Sequence, residues 1–112
     1  MPVRNCLLIR DFLVPRLEEN IYGTSLKWVD RQRGIFQICW IHQGSKSWNS
    51  DMGVIFKDWA LIKDKWNEDD PNRMVKAKQR IRAAFAKHRL IQRIPLPSMV
   101  FRAYRIKKIK SE

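Results

Sequence analysis

The order in which the hydrophobic pattern switches between helical and strand spacing most constrains the fold of this chain. Apolar residues among flanking charges predict a first amphipathic helix over residues 11–19, with Asp11 as its N-cap. Pro15 is compatible with that helix only if it begins near Asp11, because a proline deeper inside would remove a backbone hydrogen bond. Two β-prone stretches, 26–29 and 34–40, are separated by a polar loop and therefore predict a hairpin.

Two further helices are predicted in the second half. Apolar residues spaced by three or four positions predict a helix that starts after Asp51 and runs through Ile62. Asp70 as an N-cap and Pro71 at the first helical position predict a third helix that extends to about Arg89. One face of this helix should be buried and carries Met74, Ala77, Ile81, Ala84 and Phe85. The opposite face should be exposed and carries Lys76, Gln79, Ala83, Ala86 and Lys87, with Arg82 at its shoulder.

A second short hairpin is predicted by β-prone residues 90–94 and 100–106, which are linked by a segment with two prolines. The order helix, hairpin, helix, helix, hairpin is that of a winged helix-turn-helix, whose third helix can enter the major groove of DNA. We therefore predict an α+β fold with three helices and a small four-stranded antiparallel sheet. One domain is expected over residues 1–112, with its core at about 10–106 and a basic tail at 107–112.

The charge of the chain indicates its class of partner. The 23 Lys and Arg residues against 11 Asp and Glu residues give a net charge of +12. A field of this size attracts polyanions and repels a second copy, so the charge favours nucleic acid or an anionic membrane surface as the partner and a monomer in the absence of DNA. The apolar runs are far shorter than the roughly 18 residues of a membrane span, so membrane insertion is not expected, and we predict nucleic acid and not a membrane as the partner.

The sequence offers no catalytic pattern: no paired acid and base, no nucleophile with an activating base, and no glycine-rich phosphate loop. Structural zinc sites usually contain two close pairs of ligands. Here only Cys39 and His42 are close in sequence, while Cys6 and His88 stand apart. We therefore expect no enzyme, no metal and no cofactor.

Four tryptophans follow one phenylalanine at intervals of 8 to 16 residues, at Phe12, Trp28, Trp40, Trp48 and Trp59. These spacings resemble the tryptophan repeat of the interferon regulatory factor DNA-binding domain, with Phe12 in place of the first tryptophan. The strand and loop segment IFQICWIH at 35–42 and the helical segment FKDWA at 56–60 also resemble motifs of that family. The resemblance covers residues 10–106 and identifies the chain as a divergent member.

The resemblance implies a base-reading role for the exposed face of the third helix. The family reads GAAA-type repeats in the major groove through third-helix positions that correspond here to Arg82, Ala83, Ala86 and Lys87, and we add Gln79, which shares their face. The forked guanidinium of Arg82 suits the O6 and N7 acceptors of guanine, whereas Ala86 replaces the family's asparagine and offers only a methyl contact. Sequence preference is therefore expected to be altered or relaxed.

The resemblance also implies contacts outside the groove that the third helix occupies. His42 is expected in the minor groove of a flanking AA step, whose narrow groove attracts a protonated imidazole. Predicted contacts to the DNA backbone come from Trp40, Trp59, Lys46, Lys76, Lys78 and Arg80. Phe12, Trp28 and Trp48 are expected to form an aromatic scaffold, and Trp66 lies outside the repeat.

Several of these residues have simpler explanations. Core packing explains Trp28 and Trp48 better than DNA contact does, and it explains Trp40 and Trp59 equally well. Lysines and arginines on a helix usually form a solvated face, and His42 is nearly as well explained as an incidental loop residue. Only the whole-chain pattern favours DNA contact.

At the level of the whole protein, the resemblance implies a nuclear transcription factor of innate immunity and the antiviral response, able to shuttle from the cytoplasm. Its partners would be GAAA-containing double-stranded DNA and other interferon regulatory factors or coactivators. The family usually carries a C-terminal association domain, so we expect either a fragment or a short protein. The alternative is a divergent homologue, of viral origin for example, that binds DNA weakly and interferes with interferon signalling through protein partners.

Overall fold

The architecture was established from a computed structural model that describes residues 7–41, 46 and 50–107. A π-helical turn at Leu8–Leu13 leads directly into the first α-helix, and short 3-10 helices occur at Gly23–Ser25 and Ser50–Gly53. In chain order the regular elements are α1 (Val14–Glu19), β1 (Leu26–Asp30), β2 (Ile35–Cys39), α2 (Val54–Ile62), α3 (Arg73–Lys87), β3 (Ile91–Ile94) and β4 (Phe101–Ile106). This order matches the one predicted from the sequence.

The two hairpins join into one antiparallel sheet with the strand order β1-β2-β4-β3. β4 pairs with β2, so that Phe36 lies opposite Tyr104 and Ile38 lies opposite Arg102. The β3–β4 hairpin is therefore an extension of the sheet, and it follows α3 as the wing of a winged helix-turn-helix does. The predicted fold class is confirmed.

Gly34 allows the end of the first hairpin to approach β4 closely. Its φ of +74° lies in the region that L side chains rarely adopt, and a Cβ there would stand 2.5 Å from the carbonyl oxygen of Ile106. The Ile106 N–H also donates to the Gly34 carbonyl at 2.8 Å. The glycine thus fixes how the two hairpins meet.

Aromatic rings fill the core between the helices and the sheet. The side chains of Phe12, Phe36, Phe56 and Phe85 are fully buried. The ring centroid of Phe85 lies 4.8 Å from that of Tyr104 and 6.0 Å from that of Phe36, which docks α3 on the sheet. The predicted stripe of α3 is confirmed, since Ala77, Ile81 and Phe85 are buried and Met74 and Ala84 pack partly against the core.

The predicted start of the first helix is wrong. Asp11 is not an N-cap but lies inside the π-helical turn, where its carboxylate accepts a hydrogen bond from the backbone N–H of Leu7 at 2.9 Å. The N–H of Val14 donates to the carbonyl of Ile9, five residues back, as in a π turn. This wider turn lets the helix pass Pro15 even though Val14 keeps helical dihedral angles.

The predicted bounds of the third helix are also wrong by two residues at each end. Asp70 accepts hydrogen bonds from the N–H groups of Asn72 and Arg73, through its side chain and its carbonyl respectively. These bonds form a turn ahead of the helix, so Asn72 and not Asp70 is the N-cap. At the other end His88 is extended, and its Nδ1 accepts the N–H of Leu90 at 3.1 Å, which stops the helix at Lys87.

The predicted strand at 34–40 is shortened to β2. Gly34 belongs to the turn, and Trp40 follows the last paired residue of the strand. The Trp40 N–H nevertheless donates to the carbonyl of Val100 at 2.6 Å, so the backbone stays close to the wing beyond the end of the ladder.

Candidate nucleic-acid interface

The outward face of α3 is exposed as predicted. Its exposed residues include Lys76, Gln79, Arg80, Arg82, Ala83, Ala86 and Lys87. An α-helix places residues three and four positions apart on one side, so the short Ala83 and Ala86 lie among long polar side chains. The arrangement gives a surface that a flat partner can approach closely while the longer side chains extend around it.

The charge of the chain is concentrated on α3 and the wing. No Asp or Glu occurs between Pro71 and Ser111, whereas this stretch holds more than half of the 23 Lys and Arg residues. The field of this side is therefore positive over a wide area, which favours a polyanionic partner. This uneven distribution of charge along the chain is visible in the sequence, but the prediction of a nucleic-acid partner used only the net charge.

Trp59 lies behind α3 and is only 4% exposed, with its ring centroid 4.8 Å from that of Phe12. It forms the floor of a cleft between α2 and α3, here called the α2–α3 cleft. The rim of this cleft is cationic and carries Lys63, Lys65, Arg80 and Lys87. The Nζ of Lys63 lies 4.8 Å from the Trp59 ring, a cation–π distance. Burial leaves Trp59 little surface for a partner, whereas the rim is positioned for one.

Lys63 and Lys65 were missed by the sequence prediction, which treated their segment only as the end of a helix. The sequence shows two positively charged residues directly after the buried stripe of α2. It does not show their position beside α3, because that position depends on how α2 packs against that helix.

Trp40 is partly buried between the core and two cations. Its ring meets that of Phe56 edge to face at 5.0 Å. The guanidinium carbon of Arg102 lies 4.3 Å from the Trp40 ring centroid, and the Nζ of Lys78 lies at 5.8 Å. Trp40 thus supports positive charge at the surface between α3 and the wing.

Lys78 directs its ammonium inward. Its Nζ donates a 2.9 Å hydrogen bond to the carbonyl of Ile41, the last described residue before position 46. Burial lowers the pKa of Lys78, and the nearby charge of Arg102 acts in the same direction. Lys78, which the sequence predicts as a DNA-backbone contact, therefore also joins α3 to the segment after β2 by a hydrogen bond.

The remaining predicted residues fall into three groups. Lys76 is exposed and forms an ion pair with Asp70 at 2.6 Å, and Lys46 is exposed. Trp28 packs edge-on against Phe36 and donates its indole N–H to Glu18 at 2.8 Å. Phe12 is fully buried. The predictions for His42 and Trp48 lie outside the described residues.

Within the described part of the chain, no three His, Cys, Asp or Glu side chains are grouped as metal ligands would be. No helix in that part is both long and apolar enough to cross a membrane.

The three helices, the wing and the basic outer face of α3 define a winged helix-turn-helix of the kind found in transcription factors. A family model described as "Interferon regulatory factor transcription factor" matches residues 8–109. The chain belongs to the interferon regulatory factor family.

Two relatives illustrate the extent of the match. The chain is 31% identical to interferon regulatory factor 8 of Homo sapiens over 80 residues, which are 70% of this chain and 18% of that protein. It is 30% identical to interferon regulatory factor 9 of Mus musculus over 94 residues, which are 83% of this chain and 23% of that protein. The chain thus spans about a fifth of the length of the curated relatives it matches.

Solved structures share the fold at low identity. A crystal structure of IRF-3 bound to the interferon-b enhancer matches with a TM-score of 0.76 and 19% identity, covering 92% of this chain and 99% of that one. The DNA-binding domain of vIRF-1 from KSHV, in complex with DNA, matches with a TM-score of 0.71 and 17% identity, covering 88% and 97%.

Proposed function

We propose that this chain binds double-stranded DNA in a sequence-dependent manner and regulates transcription in the nucleus, with α3 lying in the major groove. The observation that carries the proposal is the exposed outer face of α3 within a stretch of the sequence that lacks acidic residues. The B-DNA major groove is wide enough for an α-helix. Membership of the family and the DNA-bound structures of IRF-3 and vIRF-1 support the same function.

Base recognition is assigned to the middle of α3. Arg82 donates two hydrogen bonds to guanine, and Gln79 and Lys87 reach neighbouring base edges from the same face. Ala83 and Ala86 let the helix backbone come close, and Ala86 offers a methyl contact to thymine. We propose GAAA-type elements as the preferred sites, and His42 as the residue that enters the adjacent minor groove.

Phosphate contacts are assigned to the edges of this surface. Arg80, Lys63 and Lys65 line the α2–α3 cleft and face one side of the groove, while Lys46 and Lys76 supply further positive charge. Since Trp59 is almost fully buried, its part is to support these cations from below. The free chain is expected to be a monomer, and other interferon regulatory factors or coactivators are proposed as further partners.

A titration of a GAAA-containing duplex against a scrambled duplex, each at two salt concentrations, tests the proposal. Specific complexes usually exceed non-specific ones by at least about 10³-fold in affinity, so a preference of this size is expected. Equal binding of the two duplexes would contradict sequence-dependent recognition. That result would instead favour a homologue that acts through protein partners.

A further inference from the structure

A second cationic cleft lies between α3 and the wing. Three arginines from three different elements line it: Arg82 from α3, Arg93 from β3 and Arg102 from β4. Phe85 and Tyr104 contribute the apolar part of its lining. We call this the arginine cleft, and only Arg82 among its cations was predicted from the sequence as a site residue.

The strand register explains why the arginines converge. Arg93 pairs with Tyr104 across β3 and β4, and Arg102 lies two residues before Tyr104 on the same strand. Alternate residues of a strand share one face, and directly paired residues share it across the ladder. Both arginines therefore lie on the face that α3 covers through the contact of Phe85 with Tyr104.

Nothing acidic balances this charge within the described part of the chain. The ion pairs formed there involve none of the three arginines. Arg102 is instead stacked on Trp40, and its positive charge helps to lower the pKa of the partly buried Lys78. Like charges held together without a counterion repel one another, so an anion that enters the cleft relieves an unfavourable interaction.

We propose that Arg93 and Arg102 of the arginine cleft bind a phosphate of the DNA backbone, at the edge of the major groove that α3 occupies, while Arg82 beside them binds its guanine. Guanidinium groups bind phosphate oxygens in a two-pronged geometry, which makes arginine well suited to this ligand. The proposal rests on the proposed function, and the wing thereby becomes part of the DNA interface.

The position of the cleft favours DNA over an acidic protein. Arg82 and Ala86 line the cleft and also belong to the exposed face of α3. A duplex that lies along that face therefore brings its backbone close to the cleft. A separate acidic partner would compete with the duplex for Arg82.

The test compares Arg93→Gln with a matched control, Arg105→Gln, on duplex affinity measured over a series of salt concentrations. Arg105 is exposed and pairs with Gln92, one position along the ladder from Arg93, so it lies on the opposite face of the wing. The slope of log affinity against log salt is negative, and loss of one phosphate contact reduces its magnitude by about 0.9. We expect this change for Arg93→Gln on GAAA and scrambled duplexes alike, and no change for Arg105→Gln.

Three outcomes are distinct. Arg93→Lys should keep most of the slope, because it keeps the charge, and this would support the assignment. If the unchanged protein prefers the GAAA duplex but Arg93→Gln has the unchanged slope, the arginine cleft is not a phosphate site and the proposed function stands. If the unchanged protein binds neither duplex, both proposals fail. Thermal unfolding of each variant checks that the exposed substitutions leave the fold intact.

Discussion

Residues 7–70 and residues 71–107 handle their charges in opposite ways. In the first region cations pair with acids of the same region, as Arg31 does with Glu18 at 2.8 Å and Arg10 with Asp11 at 2.9 Å. The second region contains no acid, and the ion pairs of its Arg73 and Lys76 are made with Glu68 and Asp70 of the first region. The net charge of +12 is therefore concentrated on the face that carries α3 and the wing.

The boundary between the regions has a role in stabilising α3. Glu68 and Asp70 stand just ahead of the helix N-terminus, where negative charge is favourable, and Lys87 lies in its last turn, where positive charge is favourable. Glu68 also forms ion pairs with Lys57 and Arg73. The acids thus stabilise the helix from its end and leave its outer face without acidic residues.

The largest expected effect is the dependence of duplex affinity on salt concentration, which tests whether the positive charge of residues 71–107 acts as one surface. If α3, the α2–α3 cleft and the wing neutralise about six to ten phosphates, duplex affinity should fall by about 10³- to 10⁵-fold between about 50 and 200 mM salt. The melting temperature of the unbound chain should rise over the same range, because salt screens the repulsion among the cations of residues 71–107. A salt-independent affinity would contradict the claim that the positive charge of residues 71–107 neutralises DNA phosphates.

Matched arginine substitutions in the two regions give the next largest effect. Arg82→Ala should weaken binding to the preferred duplex by about 1–3 kcal/mol and reduce the preference among bases, because a two-pronged base contact is lost. Arg31→Ala removes the same charge from the paired region and should leave duplex affinity unchanged. Fluorescence anisotropy with variant duplexes measures both. Equal loss on every duplex for Arg82→Ala would make Arg82 a phosphate contact only.

The exposed face of α3 could be predicted because it depends on helical periodicity alone. Ala83, Ala86 and Arg82 had to lie opposite the apolar stripe once that stripe was recognised. Helix ends were harder, because Asp70 can bond either to the helix or to the turn before it, and the local sequence suits both. The π turn that accommodates Pro15 has no spacing signal that separates it from an ordinary helix start.

The arginine cleft could not be predicted because it is a product of tertiary packing. Arg93 and Arg102 sit on strands whose polar positions usually face solvent, and only the β3–β4 register together with the docking of Phe85 brings them beside Arg82. The inward turn of Lys78 has the same origin, since the carbonyl that it binds belongs to a residue 37 positions away.

Lys78 belongs to the second region, but its ammonium is bonded to the protein, so it tests whether every cation of that region binds DNA. Lys78→Met keeps the apolar stem and removes the ammonium, so the hydrogen bond to Ile41 is lost. We expect a decrease of about 1 kcal/mol in the free energy of unfolding, typical of a partly solvated hydrogen bond. The salt slope of duplex binding should change less than in Arg80→Met, whose cation faces outward. A larger change in Lys78→Met would mean that Lys78 binds phosphate after all.

The smallest expected effect is the acid sensitivity of the paired region. Hydrogen bonds from Arg31 and Trp28 lower the pKa of Glu18, and a hydrogen bond from Arg10 lowers that of Asp11. Because these folded-state pKa values lie below the ordinary 4.5 of Glu and 3.8 of Asp, the stabilisation is fully present above those values. It is lost as the pH falls through the lower, folded-state pKa values.

Melting temperatures between about pH 6 and pH 2.5 measure this effect, since exposed ion pairs contribute modestly and titrate with their carboxylates. Glu18→Gln should lower the melting temperature slightly at pH 6 and make it less sensitive to acid than that of the unchanged chain. The control is Glu19→Gln, an exposed neighbour that forms no ion pair among the described residues. If both variants flatten the profile equally, the pairing of Arg31 with Glu18 is not what distinguishes the first region from the second.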